Sequence, residues 1–368
     1  MYHFFISLIL FIFVLWGRAY KKGAIRVYWL STLIPIIAYS LVYGLREGWG
    51  VDFNHYKDIF IFARDTEWGL STINSLIRFL GLNYSYAFIV YSSILSIGFF
   101  FIIKGYKNEA IYILPLLWVY SFGASALIRY WLAIGWLLIS LHYLLRNKYI
   151  RFIIFYTISV STHTSLIILL PLILFAKNNN WFTNRNILVC IYLAATIFLD
   201  KEMLGESVLM PFIELSSLYI SNDRLEFYNE NSEFWFSGDR ILEVATNPLF
   251  ETIHRIRNSI TNLIILYLGF EIKDKYRNGV FFYNLMAVGF IFSNCTTGFE
   301  LVNRYIAFLS LFSAFILGFI IDYQDKTRFI KNQLLYYSII IFCYINLFYR
   351  PLLGSETMSY FTTWVWDK

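Results

Sequence analysis

Six ionisable side chains stand at the edges of apolar runs, where a charge costs at least a few kcal/mol and is usually retained for a purpose: Arg46, Asp52, Arg129, His163, Glu300 and Arg304. Arginine carries a planar fork of N–H donors that grips phosphate oxygens in pairs, so Arg46, Arg129 and Arg304 suit a diphosphate. A neutral imidazole at His163 suits proton transfer to or from a hydroxyl, with the Asp52 carboxylate as the second choice of base. Each residue also has a plainer reading. Arg129 follows the small-residue turn Ser121–Ala126 and would serve as an interface-snorkelling cation. Arg304 lies four residues after Glu300, the spacing of a helical ion pair. Arg46 and Asp52 flank Gly48 and Gly50 in what reads as a solvated turn. His163, among Ser161, Thr162, Thr164 and Ser165, would be satisfied by a backbone carbonyl.

Other chemistries find little support. There is no HExxH, DxD or paired-histidine spacing for a metal, no Walker A loop, and no call for a cofactor. Cys190, Cys295 and Cys343 lie far apart without a CxxC pair, as structural thiols do.

These residues need elements to hold them, and composition says which. The 368 residues are 58% hydrophobic, 21% aromatic and 15% charged, with a mean hydropathy of +0.58; a soluble domain is roughly 25% charged. That profile excludes an ordinary soluble enzyme and predicts an all-α polytopic membrane protein. Apolar runs predict spans near 2–17, 24–43, 83–103, 109–124, 129–145, 187–204, 259–272, 279–294, 301–321 and 333–349, plus a run over 150–176. The first span lacks a basic leader and a cleavage site, so it reads as a retained helix.

The run over 150–176 is too long for one straight pass. A single pass would also divide the basic clusters, leaving Arg18/Lys21/Lys22/Arg26, Lys104/Lys107 and Arg146/Lys148/Arg151 across the membrane from Lys273/Lys275/Arg277 and Lys326/Arg328/Lys331. A short helical hairpin turning at Ser161–Ser165 returns every cluster to the cytoplasmic side, as the positive-inside rule requires. The total becomes about 11–12 transmembrane helices. Clustered basic residues are then topological signals, and the formal charge of +6 is no sign of nucleic acid. The outer side keeps only Lys57, Lys201 and Lys368 among lysines yet holds most of the arginines, which hints at a phosphorylated ligand there.

Within this single transmembrane domain, two outer segments are long enough to carry function: 44–82, which ends in an amphipathic stretch at Leu70, Ile73, Leu76, Ile77 and Leu80, and the large loop 205–258. All six ionisable residues fall on this outer face.

The stretch Arg46, Gly50-Val51-Asp52 and Tyr56 resembles the Arg-x-x-x-Gly-x-Asp-x-x-x-Tyr signature of EpsG/Wzy-type polysaccharide polymerases. Arg129, the basic turn Arg146–Arg151 and His163-Thr164-Ser165-Leu166 resemble that family's arginine helix and its His-x-Ser-Ala/Leu element, and Arg304 after Glu300 is similar to its C-terminal pattern. Ser161-Thr162 departs from it, since a small residue and an aromatic are expected before the histidine. The resemblance implies a GT-C-like glycosyltransferase in the bacterial inner membrane, with its active site facing the periplasm or cell exterior. It implies undecaprenyl-diphosphate-linked oligosaccharide as donor and acceptor, membrane lipid around it, and a chain-length regulator protein as a further partner. Arg129, Arg304 and Arg46 would bind the diphosphate and His163 or Asp52 would act on the acceptor, with Glu300 and Tyr56 in support. The product would be O-antigen or exopolysaccharide, made by metal-independent, inverting transfer.

Other classes use similar residues. A flippase for lipid-linked oligosaccharide also wants intramembrane arginines, but no internal hydropathy symmetry is visible. An O-antigen ligase or a membrane acyltransferase differs in acceptor, and the latter would turn its charged cavity to the cytoplasm. A structural assembly subunit would tolerate substitution of the outer arginines.

Overall fold

A computed structural model describes residues 2–48, 50, 52–64, 66–125, 127–198, 248–295, 300–353 and 363–364. Most of the expected loop 205–258 lies outside them. The chain divides into two units, Met1–Leu166 with Leu347–Lys368, and Ile167–Asn346.

The first unit holds α1 (Tyr2–Lys21), α2 (Tyr28–Gly44), β1 (Arg46–Glu47), α3 (Phe53–Ile61), α4 (Trp68–Phe79), α5 (Tyr84–Ile103), α6 (Ala110–Tyr120), α7 (Ile128–Leu144) and α8 (Tyr149–Thr162). Side-chain pairs set the helix directions. Ser93 meets Ser40, and Tyr28 reaches the Phe100 carbonyl, so α2 and α5 are antiparallel. Ser140 donates to the Phe152 carbonyl and Ser159 to that of Ala133, which makes α7 and α8 antiparallel. One end of the unit therefore gathers the basic clusters: Arg146 Nη2 donates to the Lys104 carbonyl at 2.8 Å and Lys21 to the Tyr112 hydroxyl at 3.0 Å. The end of α2, segment 44–82, the start of α7 and the end of α8 lie at the other.

The surface is apolar where a soluble protein would be polar. Phe4 and Phe11 on α1, Leu30 and Ile34 on α2, and Ile150 and Ile153 on α8 are all exposed, as a protein solvated by acyl chains requires. Tyr84–Ile103 and Phe4–Lys21 are long and apolar enough to cross a membrane, and among the described residues of both units eight further apolar helices are shorter.

The second unit holds α9 (Leu169–Asn178), α10 (Arg185–Phe198), α11 (Pro248–Ile272), α12 (Gly279–Cys295), α13 (Glu300–Ser310), α14 (Ser313–Thr327) and most of α15 (Gln333–Leu353). Together α13 and α14 contain a third candidate span, Asn303–Thr327. Residues 248–258, expected as loop, instead form the first turns of α11, whose start suits Pro248: its fixed φ is helical and the N–H it lacks would have no partner within the helix. The predicted cytoplasmic clusters around Lys273 and Lys326 meet through α14. Lys273, almost wholly buried, donates to Asn180 Oδ1 at 2.6 Å and the Phe182 carbonyl at 2.7 Å, while Lys326 pairs with Asp322 at 2.5 Å. Tyr276 closes this knot on Asp322 at 2.7 Å. The protein is thus an all-α polytopic membrane protein; among the described residues its one sheet is the ladder of β1 with β2 (Thr363–Trp364).

Candidate active site

The run 150–176 breaks where its hydroxyl residues sit. Ser161 and Thr162 bond back to the Ile158 carbonyl, a local alternative that competes with further helix. His163 then leaves the helix in extended conformation (φ −149°, ψ 98°), its N–H still donating to the Ser159 carbonyl at 3.0 Å. A 3₁₀ turn over Thr164–Ile168 follows. The His163 ring is buried, with Nδ1 2.7 Å from Ser165 Oγ and its edge toward Tyr130, centroids 5.6 Å apart. Tyr156 donates to the Leu166 carbonyl at 2.7 Å and pins the turn. Ser165 fixes the ring orientation; when it accepts from Nδ1–H, Nε2 is the basic nitrogen.

Tyr130 belongs to the first turn of α7, which serves two neighbours at once. Ile128, Trp131 and Leu132, at i, i+3 and i+4, line a cleft that contains Arg46. Arg129 projects elsewhere and pairs with Glu67, whose carboxylate accepts from Nη1. Glu67 immediately precedes α4, and that helix is held close by Gly69: a Cβ there would lie 2.5 Å from Thr162 Oγ1 and 2.9 Å from Thr162 N. One glycine contact thus ties the carboxylate partner of Arg129 to the residue before His163.

Arg46 is 2% exposed. Its Nη1 donates to the Tyr43 carbonyl, its guanidinium lies 5.6 Å from the Phe88 ring centroid, and its backbone pairs with Trp364. Burial lowers its pKa to about 10, with the Tyr43 and Tyr39 hydroxyls opposing, so it is a cation at neutral pH. It forms the floor of an aromatic cleft with Tyr39, Tyr43 and Tyr91 rather than part of an open turn. Beside it, Glu47 accepts from Lys57 at 2.7 Å and from the Tyr84 hydroxyl at 2.6 Å, fastening β1 to α3 and α5. Gly48 and Gly50 take positive φ, 69° and 103°, in the turn that follows.

Asp52 is half-buried just before α3, its carbonyl accepting from the Tyr56 N–H at 3.0 Å. Tyr56 is buried in the apolar cluster of Phe53, Ile59, Leu70, Phe88 and Ile128. The helix expected over Leu70–Leu80 is α4. Leu70 and Ile77 pack inward, whereas Trp68, Leu76, Phe79 and Leu80 face outward, so both sides of this helix are apolar.

Arg46, Asp52, Tyr56, Arg129 and His163 therefore share the end of the first unit opposite its basic clusters. Arg304 is half-buried on α13 of the second unit. It follows the end of α12 remote from Lys273, so it too lies away from the basic group around Lys273. The side chain of Glu300 falls outside the description. Glu67, Tyr130 and Ser165 carry no signal in the spacing of basic or apolar residues. Their one trace is a carboxylate two residues before a glycine at the head of an amphipathic stretch, and a serine two residues after the histidine.

The arrangement offers fixed arginines for anionic charge and an oriented imidazole for a proton. Comparison with protein families matches residues 27–362 to the EpsG family. The chain belongs to the EpsG family. All the site residues lie inside the matched range, which begins just before α2. Membership gives this membrane protein a polysaccharide polymerase-type role in polysaccharide biosynthesis. No curated protein and no solved structure matches the chain.

Proposed function

We propose that this EpsG-family protein is a GT-C-like glycosyltransferase of the bacterial inner membrane. It joins undecaprenyl-diphosphate-linked oligosaccharide units at the periplasmic or outer face, making O-antigen or exopolysaccharide. The first turn of α7 carries the reading, because consecutive residues there meet the two required chemistries: Arg129 for the diphosphate and Tyr130 against His163.

As the glycosidic bond of the donor breaks, negative charge grows on the diphosphate, and preorganised guanidinium groups in a water-poor site stabilise it without a metal. Arg129 is the clamp in the first unit, Arg46 adds buried positive charge at its own cleft, and Arg304 keeps the diphosphate-binding role that the resemblance implies. His163, oriented by Ser165, accepts the proton of the attacking acceptor hydroxyl; Asp52 is the alternative base. Attack opposite the departing diphosphate inverts the anomeric centre. Glu300 and Tyr56 support the site, and a chain-length regulator protein is the expected partner.

The test is turnover of lipid-linked oligosaccharide by the purified protein in nanodiscs, read as a ladder of glycan lengths. Arg129→Lys keeps charge but loses the fork, and is expected to shorten the ladder severely. His163→Ala is expected to slow elongation by about 10²–10⁴, while His163→Gln or His163→Asn does not restore it. Normal ladders from Arg129→Lys or His163→Ala at matched abundance would remove that residue from the chemistry, and transbilayer movement of the lipid without polymer would favour a flippase.

A further inference from the structure

The guanidinium of Arg129 has two edges in different circumstances. Its Nη1, the nitrogen on the Cδ side, donates to Glu67 Oε2, and the two side chains are 15% and 12% exposed. Its Nε is buried with no hydrogen-bond partner among the described residues. Covalent geometry points Nε–H and one Nη2–H the same way, forming the side-on fork that accepts two oxygens of one phosphate. Glu67 therefore sits on the side of the group away from that fork.

The carboxylate is itself firmly placed. The Ser71 N–H donates to the Glu67 carbonyl at 3.0 Å, the Thr66 and Ser71 hydroxyls meet at 2.8 Å, and Gly69 seats α4 against Thr162. A buried N–H without a partner costs free energy, and such a donor persists where a ligand completes it.

We propose that Glu67 is a positioning residue, holding Arg129 by Nη1 so that its Nε–Nη2 fork is presented to the lipid diphosphate. This rests on the reading of Arg129 as the diphosphate clamp. It also has a consequence that runs against simple electrostatics. A carboxylate near an anion site repels the ligand, so removing it should tighten binding if charge alone mattered. A positioning carboxylate does the opposite, because its removal lets the fork turn away.

The experiment measures the dissociation constant of farnesyl diphosphate, a short polyprenyl diphosphate, for the full chain in nanodiscs. Glu67→Ala is expected to weaken binding by about 10- to 100-fold, the scale of a misplaced clamp. Glu67→Gln, which keeps an acceptor for Nη1, is expected to bind within about threefold of the parent, far inside one such step of affinity. Adding Glu67→Ala to Arg129→Ala is expected to change nothing further. Unchanged or tighter binding by Glu67→Ala, or a loss that adds in full to that of Arg129→Ala, overturns the proposal. Should Glu67→Ala fail to insert, Glu67→Asp replaces it; the shorter reach is expected to weaken binding too, and parental affinity would overturn the assignment. If Arg129→Ala alone binds normally, it is the clamp reading that fails, a result distinct from any Glu67 outcome.

Discussion

Replacing Gly69 by alanine tests whether the closeness of α4 and α8 matters to the chemistry. The added Cβ would stand 2.5 Å from Thr162 Oγ1, 2.9 Å from Thr162 N and 3.0 Å from Ser161 Oγ. A hydroxyl can turn aside, but the backbone nitrogen cannot. Ordinary contact needs about 3.5 Å, so α4 must retreat by roughly half an ångström to one ångström. Overpacking of this kind costs about 1–3 kcal/mol, and alanine in place of helical glycine returns up to about 1 kcal/mol. The fold should therefore lose little. Function should lose more, because Glu67 moves with α4 and Arg129 follows Glu67, and a displacement near one ångström costs on the order of 10² in rate. The assay is the glycan ladder per unit of inserted protein, with Gly17→Ala as the control. There the Cβ would meet Ile111 Cα at 2.6 Å, an equal clash at the basic end of the same unit. Elongation is expected to fall about 30- to 100-fold in Gly69→Ala and to stay near normal in Gly17→Ala. Equal losses that follow abundance, or an active Gly69→Ala protein, would refute the reasoning.

Ser165→Ala removes the contact at His163 Nδ1, and elongation should slow about tenfold with a displaced pH–rate profile, Ser165→Thr restoring both; an unmoved profile would deny Ser165 its orienting role. Lys57→Met leaves the buried Glu47 carboxylate with Tyr84, and is expected to cost about 1–3 kcal/mol in unfolding measurements. Burial alone would lower the Lys57 pKa, but hydrogen bonds to Glu47 and Tyr84 outweigh it and raise it above 10.5. The pair's contribution is thus complete below that value and fades above it, so the gap between parent and variant should be constant from about pH 6 to 9. Cysteines placed at Lys177 and Asn231 should label from opposite sides of the membrane; labelling from one side would unseat the hairpin topology.

Much of the fold was legible because apolar runs and basic clusters are local signals. The expected span 83–103 is α5 almost residue for residue, and the hydroxyl-rich centre of 150–176 is where the helix breaks at His163. What escaped depends on residues distant in sequence. Arg46, between a helix end and two glycines, reads as a solvated turn, yet it is buried because β1 pairs with Trp364 and lies over Phe88. Nothing in the local sequence marks Glu67, since its partner is 62 positions away. The outward apolar residues Trp68, Leu76 and Phe79 share α4 with the inward Leu70 and Ile77, a doubling that a simple amphipathic reading passes over.

The short ladder between Arg46–Glu47 and Thr363–Trp364 also orders events during synthesis. Every helix from α1 to α8 has been translated long before β2 exists, and throughout that interval the strand bearing Arg46 has an open edge. Closing it joins stretches near opposite ends of the described residues, the kind of contact that forms late because its loop-closure entropy is large. A chain translated as far as α8 thus carries Arg129 and His163 before the strand bearing Arg46 is paired. Pairing of the Arg46 strand waits until Thr363–Trp364 has been made, so a chain stopped before that point presents Arg46 on an unpaired edge.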